Sequence, residues 1–203
     1  MSVRLVVATR NRGKLAEIAA ALEGLGLELV GLDSFPQLPE VVEDGDTFEA
    51  NALKKAREVA AATGCLTLAD DSGLEVAALG GAPGVRSARY AGPGATDEAN
   101  NAKLMRELTA VPEGSRGATF RCVLAICRPD GRCATCQGAL AGSITREPRG
   151  AYGFGYDPLF VPEGYDQTIA ELGGEVKARI SHRAQALAAA RRLLPQFLGD
   201  SSD

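Results

Sequence analysis

The chain has 203 residues, 45% of them hydrophobic, and a formal net charge of −4. That length can bury a substantial core, as one large domain or two lobes. The acidic balance and the lack of a long basic run exclude a surface that coats nucleic acid. No stretch approaches the ~20 apolar residues of a membrane helix, and Met1 to Ala8 is too short for a signal peptide, so a cytoplasmic protein is expected.

Val3 to Ala8 is apolar and β-like. Lys14 to Leu25 follows as a helix with Leu15, Ile18, Ala19, Leu22 and Leu25 on one face, ending near Gly24 and Gly26. Leu27 to Leu32 reads as a second strand, followed by a loop with Pro36, Pro39 and several acids. Asp46 or Thr47 can cap a helix from Phe48 to about Thr63, stopped by Gly64. Cys65 to Ala69 is the next strand, and Thr96 caps a helix carrying Leu104, Met105 and Leu108. A hairpin turning at Asp130-Gly131 joins strands holding Cys122 and Cys136. Leu159 to Val161 is a short strand, Ser181 begins a long helix to roughly Leu198, and 199–203 reads as a disordered, frayed tail. The pattern predicts one α/β domain over 1–203: a mixed sheet with flanking helices, in two lobes around a central substrate cleft.

Five cysteines, Cys65, Cys122, Cys127, Cys133 and Cys136, make a poor disulfide framework and are expected to be ordinary buried thiols. A four-thiolate zinc site is disfavoured, because residues three or five apart on a strand face opposite ways.

Three stretches carry chemistry. LTLADDSGL (Leu66 to Leu74) ends an apolar run in two carboxylates, where an α/β strand places its ligands and a magnesium ion could compensate the charge. The same residues also suit a solvated strand-to-turn corner. TRNRGK (Thr9 to Lys14) joins a strand to a helix with a glycine, a lysine and helix-start amides that suit phosphate; it equally suits a basic turn, and it is not a Walker A loop. Glu43 lies in a glycine-containing turn before the Phe48 helix, where it could bend toward a metal or simply favour the positive helix end. Lys54 and Lys55 follow on that helix, where solvated faces are the usual place for lysines, though one could project toward a triphosphate.

In this order, TRNRGK, EDGDTFEANALKKA, LADDSGLEVAALGGAPGVRSARYAG, YGFGYDPLF and SHRAQAL resemble the inosine/xanthosine triphosphate pyrophosphatase family, from Val3 to about Leu194. The resemblance implies hydrolysis of dITP, ITP and XTP to the monophosphate and pyrophosphate, a magnesium cofactor and a homodimer. It makes Asp71 the general base and a magnesium ligand, Glu43 the second ligand, and Asp70 an assisting carboxylate. Thr9, Arg10, Asn11, Arg12, Gly13, Lys14 and Ser72 resemble triphosphate contacts, and Lys55 and Lys177 match lysines facing the phosphates. Phe154, Gly155, Tyr156 and Asp157 match the segment closing over base and sugar, and His182 and Arg183 the pair reading the purine edge. One departure is Ala50, where the family commonly has an acid before the asparagine of its ENA motif.

The chemistry also has its own logic. Water must attack in line with a leaving pyrophosphate whose charge is compensated. The lone histidine, His182, sits beside Ser181 at a helix start and suits binding better than a catalytic triad. As a hypothesis, Arg183 would donate to the 6-oxo group of hypoxanthine, where adenine presents a donor instead. On that hypothesis Arg183→Ala is expected to cost turnover far more than stability.

Overall fold

The computed structural model describes residues 3–198, so the tail expected at 199–203 lies outside the described residues. Strand β1 (Val3–Val7) pairs in parallel with β2 (Leu27–Gly31), from Val3 opposite Leu27 to Val7 opposite Gly31, and with β3 (Leu66–Val76), from Leu5 opposite Leu66. Parallel neighbours need a crossover. Helix α1 (Arg12–Leu22) makes the first and α2 (Phe48–Thr63) the second. The remaining strands are β4 (Gly117–Cys127), β5 (Cys133–Ile144) and β6 (Phe160–Pro162), the last antiparallel to β5. The six-stranded order is β2-β1-β3-β4-β5-β6, the mixed sheet with flanking helices that the sequence predicts.

The chain forms two compact units. The first is Met1–Asp71, Cys122–Gly138 and Arg183–Asp203; the second is Ser72–Arg121 and Ala139–His182. Each has its own apolar core. In the first, Leu5, Val7, Ile18, Leu68, Leu124 and Leu187 are buried together, and Leu15 and Leu25 pack partly buried against them. Ala19, placed on the same face from the sequence, is exposed. In the second, Leu74, Leu104, Leu108, Phe120 and Phe160 form the centre, with helix α3 (Asp97–Glu107) contributing Leu104.

Local sequence explains most element ends. The Thr47 hydroxyl accepts from Ala50 N–H at 3.1 Å to start α2, and Gly64 ends it at φ 66°. The sequence reading passes over helix α4 (Ile169–Ile180), although Thr168 and Glu171 form a full capping box at its start. Two adjacent glycines obscure its period, and Gly173 departs from helical geometry at φ 79°. The last helix is also not continuous from Ser181. It divides into α5 (His182–Leu193) and α6 (Pro195–Leu198), because Pro195 has no N–H with which to continue the ladder.

Two further expectations are corrected. Strand β3 does not end at the acids but runs through Asp70, Asp71, Ser72 and Gly73 to Val76, so the carboxylates are mid-strand. The cysteines are not all thiols. Cys127 and Cys133 flank the hairpin turn with Cα atoms 4.2 Å apart and form a disulfide, while Cys65, Cys122 and Cys136 are free.

Arg116 is a buried brace of the second unit that the sequence does not reveal. It is 2% exposed and donates to three carbonyls: Leu108 at 2.7 Å, Thr145 at 2.8 Å and Val111 at 3.2 Å. Arg116→Leu leaves those acceptors without their donor and should cost about 3 kcal/mol. A melt should show the midpoint falling by about 6–12 °C, with turnover per folded molecule unchanged.

Candidate active site

In the first unit, β1 leaves the sheet at a tight turn. Asn11 N–H donates to the Thr9 hydroxyl at 3.1 Å, and Asn11 Oδ1 caps α1 by accepting from Lys14 N–H at 3.0 Å. The Asn11 side-chain oxygen is thus engaged at the helix start. Arg10 and Arg12 are exposed, Thr9 and Gly13 half-buried, and Arg10 lies 4.0 Å from Asp33. Lys14 turns inward and ion-pairs with Asp70 Oδ1.

Successive side chains of a strand point to opposite faces, so Asp70 and Asp71 enter different surroundings. The Asp70 side chain is fully buried. Its Oδ2 accepts from Arg183 Nε at 2.9 Å and the Cys122 thiol at 3.2 Å, and Arg183 Nη1 also reaches Glu17 at 2.6 Å. Burial alone would raise the Asp70 carboxyl; the charges of Arg183 and Lys14 outweigh it and hold the group well below its usual range. The four residues Lys14, Asp70, Arg183 and Glu17 therefore form one alternating chain of charge.

Asp71 is 5% exposed and lacks such a partner set. Burial, reinforced by the negative charge of Glu43, pushes its carboxyl up to about 6 against the opposing pull of Lys55, Lys14 and a hydrogen bond from Asn51. Its Oδ2 is buried without a hydrogen-bond partner. Lys55 bridges the site: Nζ donates to the Asp70 carbonyl at 3.0 Å and ion-pairs with Glu43. Lys54 instead pairs at the surface with Asp44 at 2.7 Å. Two oxygen-bearing carboxylates, one with an orphaned buried oxygen, fit magnesium, which takes one or two protein carboxylates and fills its octahedron with water and phosphate. Among the described residues no set of three or more His, Cys, Asp or Glu side chains could hold a metal.

The second unit gathers most of the other expected residues. Ser72 is half-buried on β3, the next residue after Asp71. Lys177 is 4% exposed; its Nζ lies 2.6 Å from Asp157 Oδ2 and 4.2 Å from the Phe154 ring centre. The same Asp157 oxygen accepts from Phe154 N–H at 2.9 Å. Gly155 is fixed on both sides, its N–H donating to Asp97 at 2.6 Å and its carbonyl accepting from Asn101 at 3.0 Å. Tyr156 is buried, and its hydroxyl donates to the Ser87 carbonyl at 2.9 Å. His182 stacks on Phe120, with ring centres 4.7 Å apart and planes 8° off parallel.

Glu43, Lys55 and Asp71 are thus brought together, as are Phe154, Asp157 and Lys177. Lys177 is tied to a carboxylate and a ring of the FGYD segment, which gives no support to a phosphate contact. Arg183 donates from Nε to Asp70 at 2.9 Å and from Nη1 to Glu17 at 2.6 Å. Sequence reasoning missed Asn51, Asp97, Asn101 and Phe120. A lone asparagine in the first turn of a helix, as Asn51 is, was the available signal for the first.

Residues 5–193 match the model of the Ham1 family. The chain is 58% identical over 196 residues to a dITP/XTP pyrophosphatase of Geobacter sulfurreducens, covering 97% of this chain and 96% of the relative. Among solved structures it is similar to a HAM1 protein from Coxiella burnetii, with a TM-score of 0.87 and 42% identity over 96% of this chain and 99% of that one. It is also similar to a nucleoside-triphosphatase, a dITP/XTP pyrophosphatase from Mycobacterium abscessus, with a TM-score of 0.77 and 48% identity over 93% of this chain and 98% of the other. A family match across residues 5–193, and a relative 58% identical over 97% of the chain, show that the chain belongs to the Ham1 family.

Proposed function

We propose that the chain hydrolyses the non-standard purine nucleotides dITP, ITP and XTP to the nucleoside monophosphate and pyrophosphate, clearing them from the nucleotide pool. The observation that carries this reading is the Asp71 carboxylate, buried with an orphaned oxygen beside Glu43 and Lys55. The names of the relatives support the substrate class.

In this reading Glu43 and Asp71 hold one magnesium ion, which when bound offsets charge on the phosphate oxygens. Asp71 is the general base. In the metal-free protein burial and Glu43 push its carboxyl up to about 6, so the group is ionised at neutral pH and available to draw a proton from water. The water oxygen bonds to the innermost phosphorus, its proton passes to Asp71, and the bond to the leaving pyrophosphate breaks. Lys14, Lys55, Ser72 and the Thr9–Gly13 turn bind and stabilise that leaving group. Asp70 acts at one remove, through Lys14.

Phe154, Gly155, Tyr156 and Asp157, with Lys177 and His182, are assigned to the nucleoside. Arg183 is assigned to Asp70 instead, so the donor that a 6-oxo group meets falls to His182. Adenine would turn its own donor toward it, and two facing donors in a dry site cost on the order of 1–3 kcal/mol. A homodimer and a cytoplasmic location, where the nucleotide pool lies, complete the proposal.

A panel of nucleoside triphosphates with magnesium, scored for both products, tests the reading. Monophosphate and pyrophosphate from dITP, ITP and XTP are expected, with ATP slower by about tenfold to a hundredfold. Orthophosphate release would indicate a triphosphate phosphatase, preference for a modified pyrimidine another hydrolase, and binding without turnover a nucleotide sensor.

A further inference from the structure

One side chain of α2 holds the turn that carries Glu43. Asn51 sits in the first turn of α2 and is 1% exposed. Its Oδ1 accepts from the Gly45 N–H at 2.8 Å, and its Nδ2 lies 3.4 Å from the Gly45 carbonyl. The same amide lies near enough to the Asp71 carboxylate to oppose the upward shift that burial and Glu43 impose on it. A single amide thus grips the backbone two residues past Glu43 through both its oxygen and its nitrogen. Gly45 is what admits it. A Cβ at Gly45 would stand 2.7 Å from Asn51 Oδ1 and 3.0 Å from Ala50 Cβ, in a spot bounded by the helix itself.

We propose that Asn51 is a positioning residue that sets where Glu43 stands relative to Asp71, with Gly45 as the notch it fits. The inference rests on reading that pair as the metal ligands. Partners that orient ligands from behind commonly matter nearly as much as the ligands, at about ten- to a hundredfold in metal affinity or activity. A fold-only asparagine would leave metal binding alone once the protein has folded.

Asn51→Leu removes the amide at similar size. Gly45→Ala disturbs the same contact from the loop side and leaves every α2 residue in place, so the test stands if Asn51→Leu does not fold. Three readouts follow: deuterium exchange over 43–47 in metal-free protein, manganese binding by electron paramagnetic resonance, and ITP kinetics at saturating metal. In both variants the segment should exchange faster and the manganese dissociation constant should rise about ten- to a hundredfold. The kcat should fall by a larger factor than KM for ITP rises, since the Thr9–Lys14 turn and Ser72 are left in place. Wild-type exchange and wild-type manganese affinity in folded variants would overturn the proposal, as would a lowered melting point with no other change. If the wild type itself holds no manganese, the metal reading fails, and the exchange data alone decide whether Asn51 grips the turn.

Discussion

Asp71→Asn should lower ITP turnover by about a thousandfold, the order expected when a general base is lost, and at neutral pH it should stabilise the metal-free protein. The two effects have one cause. A free aspartate titrates near 3.8, and burial beside Glu43 raises the folded group to about 6. Between those values the folded chain binds more protons than the unfolded chain, so stability falls as pH rises from about 4 to 6. Above 6 the whole cost is present, on the order of 2–3 kcal/mol. The amide carries no charge to desolvate, so in chelator-treated protein the variant should melt higher at pH 7.5. That gain should shrink as pH falls through 6 and be gone near 4. Undiminished turnover would remove Asp71 from the chemistry. A stability gain indifferent to pH would remove the buried charge as its cause.

Arg183→Ala should be the more damaging change to the fold. The Arg183 side chain is 2% exposed, with Asp70 fully buried on one side and Glu17 on the other. Its loss leaves Asp70 in the interior with Lys14 as its remaining ion-pair partner, and breaking such a pair costs about 3–5 kcal/mol. Urea unfolding should show that loss. The double variant Asp70→Asn with Arg183→Met, which removes both charges, should recover much of it, because two neutral groups need no compensation. This reverses the expectation that Arg183→Ala spares stability. A variant with native stability and a raised KM for ITP alone would restore the purine-edge role. The same network makes the protein acid-sensitive. Asp70 is held below its usual range, so its contribution is full above about pH 4 and is lost as pH falls further.

Much of this was legible in the chain because local chemistry decided it. Thr47, Thr96 and Gly64 mark helix ends by capping, which acts within three residues, and the structure places the ends there. The apolar run Leu66–Ala69 marks β3 but does not give its end. Acids, serine and glycine read as a turn, whereas Lys14, Arg183 and Lys55 make a buried strand position tolerable for two carboxylates. Those partners come from 15 to 113 residues away, beyond any window of sequence. Arg183 illustrates the same limit: its motif told that it matters, and only three-dimensional neighbours told that it faces Asp70. Cys127 and Cys133 pair because the hairpin brings them opposite each other, a relation their count and spacing did not disclose. The nucleotide class, by contrast, was carried by motif order, which needs no geometry.

Diffraction from crystals grown with manganese tests the central assignment most directly, since the ion's anomalous signal locates it without reference to the protein. One peak is predicted in the first unit, within bonding distance of both the Glu43 and Asp71 carboxylates and absent in Asp71→Asn. A peak bound elsewhere, or reached by neither side chain, would contradict the account.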